Sequence, residues 1–111
     1  MAIDHAASGQ LIDVFPLTDT LCESRTVALF KTAEIEVMRL IVPAGKKVPS
    51  HDVKGEITVQ CLEGEVEFTA AGQTQRMTAG QLLWLEGGVA HGLTAVRDAS
   101  LLVTIILRNS R

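Results

Sequence analysis

From Thr26 onward the chain is a succession of short runs rich in Val, Ile, Leu and Thr, each closed by glycine, proline or a small polar pair. The runs cover 26–31, 34–42, 48–53, 57–62, 65–69, 73–77, 81–85, 90–95 and 99–108. Between them stand Pro43-Ala44-Gly45, Lys54-Gly55, Glu63-Gly64, Ala71-Gly72, Ala79-Gly80 and Glu86-Gly87-Gly88. None of these breaks leaves room for a crossover helix, and parallel strands need connections of roughly a dozen residues or more. The spacing therefore predicts an all-β, antiparallel, double-sheet sandwich or barrel without long helices. It holds about nine or ten strands, the tenth being a short edge strand at 11–15.

A length of 111 residues with 47% hydrophobic and 21% charged content fits one domain with a substantial core. Residues 1–20 read as an N-terminal arm and 21–111 as the β domain. The net charge is only -3, and Lys46-Lys47 is the single adjacent basic pair. No basic face is present to displace counterions from phosphate, so nucleic acid is not an expected partner. No apolar run approaches the roughly 18 residues of a membrane span. The opening MAIDHAASG has neither the basic start nor the apolar stretch of a signal peptide, so a cytoplasmic location is expected. Cys22 and Cys61 fit no metal or redox spacing and read as reduced thiols, Cys61 as a small core residue.

Alternation within the runs shows which faces are wet. Val66 and Phe68 share one face of their run, Glu65 and Glu67 the other, as in a half-buried strand. In 99–108, Leu101, Val103, Ile105 and Leu107 lie on one face, while Leu102 and Ile106 flank Thr104 on the other. Both faces are apolar, and one sandwich partner covers only one of them. A homodimer interface is expected on the second face; the other reading has the arm folded back over it. Trp84 reads as filling for the core or for that interface.

Two segments carry a further pattern. The first runs from Gly45 through His51, Val53 and Glu56 to Gly64; the second runs from Gly80 through Glu86 and Gly88 to His91. Together they resemble the two motifs of the cupin superfamily, small jelly-roll or β-barrel domains. Gly45, His51 and Gly64 match the first motif, and Gly80, Gly88 and His91 the second. Val53 stands at the position of the first motif's second histidine, Glu86 replaces a proline and Ala95 an asparagine. In metal-binding cupins the two histidines and the glutamate of the first motif, with the histidine of the second, hold one divalent ion. The resemblance therefore implies ligand positions at His51 and His91, with Glu56 a further candidate, for one divalent transition metal such as Fe, Zn, Mn or Ni. Val53 cannot ligate a metal, which leaves the implied site incomplete.

Strand parity leaves two registers open for Glu56. If Lys54-Gly55 is a two-residue hairpin loop, Val53 pairs with Glu56 and His51 with Thr58. His51, Glu56, Thr58 and Gln60 then share a face, because cross-strand partners do. Counting back from Gly64 instead puts Ile57 at the family's glutamate position, with Val59 and Cys61 pointing inward and Glu56 solvated on a turn. A bulge switches one register into the other. The expected function is the binding of a small molecule, as a sensor, carrier or accessory module, with His51, Gln60, Thr58 and His91 in the pocket. The alternative is a metal-dependent enzyme of dioxygenase or isomerase type using His51, His91 and Glu56.

Overall fold

A computed structural model describes residues 5–107. Seven antiparallel strands follow a short 3-10 helix at Thr18–Glu23. They are β1 Val27–Lys31, β2 Ile35–Val42, β3 Lys47–His51, β4 Ile57–Ala70, β5 Gln73–Thr78, β6 Leu82–Leu85 and β7 His91–Ile106. The main ladder runs β1-β2-β7-β4-β5, with β3 added on β7 and β6 on β4.

The strand number is lower than the turn residues suggest, for a physical reason. The runs 57–62 and 65–69 are one strand, β4, and 90–95 and 99–108 are one strand, β7. At Glu63-Gly64 the chain makes bulges against β7 instead of a turn. Gly64 adopts φ +84, and a Cβ there would strike the Asp98 carbonyl oxygen and come within 2.7 Å of Ala99 Cα. Only glycine allows that backbone and that approach. The expected edge strand at 11–15 is absent; those residues carry no regular secondary structure.

Each long strand thus serves two ladders. The first half of β4 pairs with the end of β7, Ile57 opposite Ile105 and Val59 opposite Val103, while its second half pairs with the start of β7, Phe68 opposite Leu93 and Ala70 opposite His91. The two halves enclose one core, in which Cys61, Val66, Ala99 and Leu101 are wholly buried. The Cys61 thiol donates toward the Glu63 and Gly64 carbonyls, and burial pushes it above its ordinary pKa. This is an inert core thiol rather than a nucleophile. Cys22 and Cys61 are both free.

The N-terminal arm is tied to the outer side of the sheet by one polar cluster. Glu63 accepts from the Leu17 amide at 2.8 and 3.0 Å, the Thr18 amide at 2.9 Å and the Ser100 hydroxyl at 2.7 Å. Arg39 donates to the Phe15 carbonyl at 2.6 Å and to Ser100 at 3.2 Å, and lies 3.4 Å from Glu63. Both expected covers of the second β7 face bear on this region. The arm is fixed at Arg39 and Ser100, whereas farther along the sheet Trp84 and Ile106 stay 58% and 37% exposed.

Burial alone would raise the Glu63 carboxyl. The Leu17 amide, the Ser100 hydroxyl, the Thr18 amide and then Arg39 outweigh it and hold the carboxyl below its usual range. A depressed carboxyl stabilises the fold above its unfolded pKa, roughly 4.3, and that contribution fades as pH falls through the folded value. Glu63→Gln should therefore cost about 1–3 kcal/mol near neutrality. In thermal melts across the acid range, the gap between wild type and variant should narrow steadily below about pH 4.

Candidate functional site

The inward faces of β2, β4 and β7 leave a cavity of about 240 Å³. Met38 and Leu40 of β2, Ile57, Val59 and Phe68 of β4, and Leu93, Val103 and Ile105 of β7 wall it, with Val48 and Val53 on the β3 side. Period-2 alternation sends these residues to one side of their strands. Among the described residues, His51 and His91 are the side chains with nitrogen or oxygen atoms along the wall, and no Lys, Arg, Asp or Glu lines it.

The two histidines meet because β3 pairs with the start of β7. His51, the last residue of β3, stands opposite His91, the first of β7. Their ring centres lie 4.5 Å apart with the planes tilted by 53°. Gly92 lets the strands come this close, since a Cβ there would lie 2.8 Å from the Val48 carbonyl oxygen. His91 is 8% exposed while His51 is open to solvent, so His51 sits at the mouth and His91 beneath it. Phe68 lies nearly parallel to His91, 6.0 Å between centres and 6° between planes.

Each imidazole is held by a carbonyl two residues back. His91 Nδ1 is 2.9 Å from Val89 O, and His51 Nδ1 is 3.1 Å from Pro49 O. A carbonyl only accepts, so Nδ1 carries the proton and Nε2 of the neutral ring keeps its lone pair. In its neutral form, a ring held this way offers Nε2 as an acceptor or a metal-binding nitrogen.

The structure separates the remaining sequence candidates from this pair. Ile57, Val59 and Cys61 point inward, at 4%, 2% and 0% exposure, which is the register counted back from Gly64. The hairpin register fails because β3 does not pair with β4; β3 crosses to β7, and Lys54-Gly55 lies in a loop between the layers. Glu56 is directed away from the cavity, and its Oε1 accepts from the Trp84 indole N–H at 2.7 Å. With Lys54, Trp84, Glu86 and Gly87 it borders a separate, open surface depression. Thr58 and Gln60 pair with Trp84 and Leu82 of β6 and are not part of the cavity wall. Among the described residues no group of three or more His, Cys, Asp or Glu side chains is placed to hold a metal ion.

Sequence reasoning missed Met38, Leu40 and Phe68 as cavity residues, although their alternation with Arg39 and Glu67 carries the signal. It also missed the Glu63–Arg39–Ser100 cluster, whose partners are brought together only by the β2–β7–β4 ladder.

Comparison with known proteins agrees with this architecture. The family model described as "Cupin domain" matches residues 38–107. A conserved protein of unknown function from Streptococcus pyogenes superposes with a TM-score of 0.74 at 19% identity, over 99% of this chain and 97% of its own. An RmlC-like cupin from Desulfovibrio desulfuricans gives 0.68 at 27% identity, over 93% and 98% of the two chains. The salicylate 1,2-dioxygenase of Pseudoaminobacter salicylatoxidans gives 0.68 at 15% identity, over 72% of this chain but only 24% of the enzyme. None of the curated protein sequences compared matches. The matched span holds β4 to β7 and both histidines, and the chain belongs to the cupin superfamily.

Proposed function

We propose that this cupin binds a small, largely apolar molecule in its cavity, as a sensor, carrier or accessory module. The observation that carries the reading is the composition of the wall: two imidazoles with carbonyl-bound Nδ1 atoms, one at the mouth and one beneath it, and apolar side chains elsewhere among the described residues. Small-molecule sites have this form, with a mostly apolar enclosure and a few placed polar groups.

The donor set does not fit a resident catalytic metal. Open catalytic sites use three protein ligands, and the non-haem iron arrangement uses two histidines and a carboxylate. Here Val53 and Ile57, at the motif positions of the further ligands in the register observed, line the same cavity as the imidazoles, and Glu56 is engaged with Trp84. The metal-dependent reading, with His51, His91 and Glu56 as ligands, requires Glu56 to break that contact and pass to the other side of β4. Likeness to the salicylate dioxygenase is a likeness of fold.

Elemental analysis of protein prepared without a metal-binding tag, paired with titration of an environment-sensitive apolar dye, tests the proposal. We expect substoichiometric metal, weak response to added Fe, Zn, Mn or Ni, and one dye site abolished by Val59→Trp. A stoichiometric transition metal that disappears in His91→Ala would establish the metal reading instead.

We further propose that two copies associate through the outer face of the sheet. Leu82 and Trp84 of β6 are 66% and 58% exposed. Ladder pairing aligns them with Gln60–Leu102 and Thr58–Thr104 in two rows that run on to β2. A sheet face that leaves Leu82, Trp84 and Ile106 exposed among threonine and glutamine side chains suits an isologous two-fold contact with a second copy. Sedimentation should give a dimer mass for the wild type and a monomer mass for Leu82→Glu; a wild-type monomer at high concentration would contradict this assembly.

A further inference from the structure

Four features of the cavity specify its ligand more narrowly, on the reading that the cavity is the binding site. The first is size. An apolar cavity of roughly 150 Å³ takes up benzene, so about 240 Å³ accommodates one six-membered ring with a short substituent and little more. The second is charge. A carboxylate or ammonium group entering a wall without Lys, Arg, Asp or Glu loses its hydration and meets no counter-charge.

The third is the sense of the hydrogen bond. Both Nδ1 atoms face backbone carbonyls, at 2.9 and 3.1 Å, so on a neutral ring the free Nε2 of each cavity-lining histidine is an acceptor. The ligand must therefore donate, which a hydroxyl does and a ketone or ether does not. The imidazoles adjoin at one place, 4.5 Å between centres, so a single polar head is matched and a polyol is not. The fourth is shape: Phe68, stacked on His91 at 6.0 Å and 6°, puts an aromatic ring in the cavity wall, and a planar ring packs well against such a neighbour.

We infer that the cavity takes a neutral, single-ring, hydroxyl-bearing molecule of the phenol class, its ring among Met38, Val59, Phe68 and Val103 and its hydroxyl donating to His91 or His51. The chain then acts as a receptor that accepts the phenol and rejects the corresponding carboxylate.

Three matched probes test this by calorimetry on chelator-treated protein at about pH 8: para-ethylphenol, para-ethyltoluene and para-ethylbenzoate. The phenol should bind about five- to tenfold more tightly than the toluene analogue, the usual worth of one hydrogen bond. The benzoate should bind at least about tenfold more weakly than the phenol, because its charge is left uncompensated. His91→Phe should erase the preference for phenol over toluene. His51→Phe, at the open mouth, gives the same readout if the His91 variant does not fold. Equal affinity for phenol and toluene would overturn the hydroxyl-donor assignment, and benzoate binding as tightly as phenol would overturn the neutral class. Both outcomes leave the cavity as the binding site. Failure of all three probes to bind would instead overturn the cavity reading itself.

Discussion

The ladder between β4 and β7 fixes where the cavity side chains of both these strands point. Twelve residue pairs join these strands, from Ile57–Ile105 at one end to Ala70–His91 at the other. Because strand side chains alternate with a period of two, a slip of one residue would exchange the two faces along the affected half. The slip is excluded by burial: it would expose Ile57, Val59, Cys61, Leu101 and Val103, all now 8% exposed or less. Each such side chain is worth about 1.5–3 kcal/mol when fully buried. No hydrogen bond available to Glu56, Thr58 or Gln60 on the inner side offsets that sum. Hydrophobic burial thus decides the chemistry of the cavity, by sending Glu56 outward to Trp84.

That balance explains which features could be read from the chain and which could not. Antiparallel all-β architecture follows from run spacing, and the shared face of Val66 and Phe68 from local alternation. Placing His51 beside His91 rested on the motif resemblance, and the β3–β7 pairing delivers it. The strand number did not follow, because Glu63-Gly64 looks the same as a turn whether the chain reverses there or merely bulges. Asp98, whose carbonyl oxygen crowds Gly64, is distant in sequence and gives no local hint. The two registers around Glu56 differ by one residue, and the hairpin version needs β3 to pair with β4; that β3 pairs with β7 instead is a matter of topology that residues 51–60 do not encode by themselves.

Cupin membership therefore supplies a scaffold here and leaves the chemistry to the residues present. The scaffold converges two imidazoles whose Nδ1 positions are satisfied by Val89 and Pro49. With further ligands around them, such nitrogens serve a metal; in the apolar enclosure that Val53 and Ile57 help to line, the proposed role is that of hydrogen-bond acceptors. The Glu63 cluster has a separate task on the outer side, where it satisfies the amides at Leu17 and Thr18 and holds the arm against β2 and β7. Burying such groups is costly unless they are partnered, and in this cluster the Arg39 Nε is the buried side-chain atom left without a partner among the described residues.

The inward register of β4 is the claim on which the cavity, the incomplete donor set and the ligand class all rest. Nuclear Overhauser contacts from methyl-labelled Ile and Val to the imidazole ring protons measure it directly. The account predicts contacts from the Ile57 and Val59 methyls into the space bounded by His51 and His91, with the Trp84 indole proton close to Glu56. Contacts to the imidazoles from the Thr58 methyl and the Gln60 side chain, with Ile57 and Val59 silent, would contradict it.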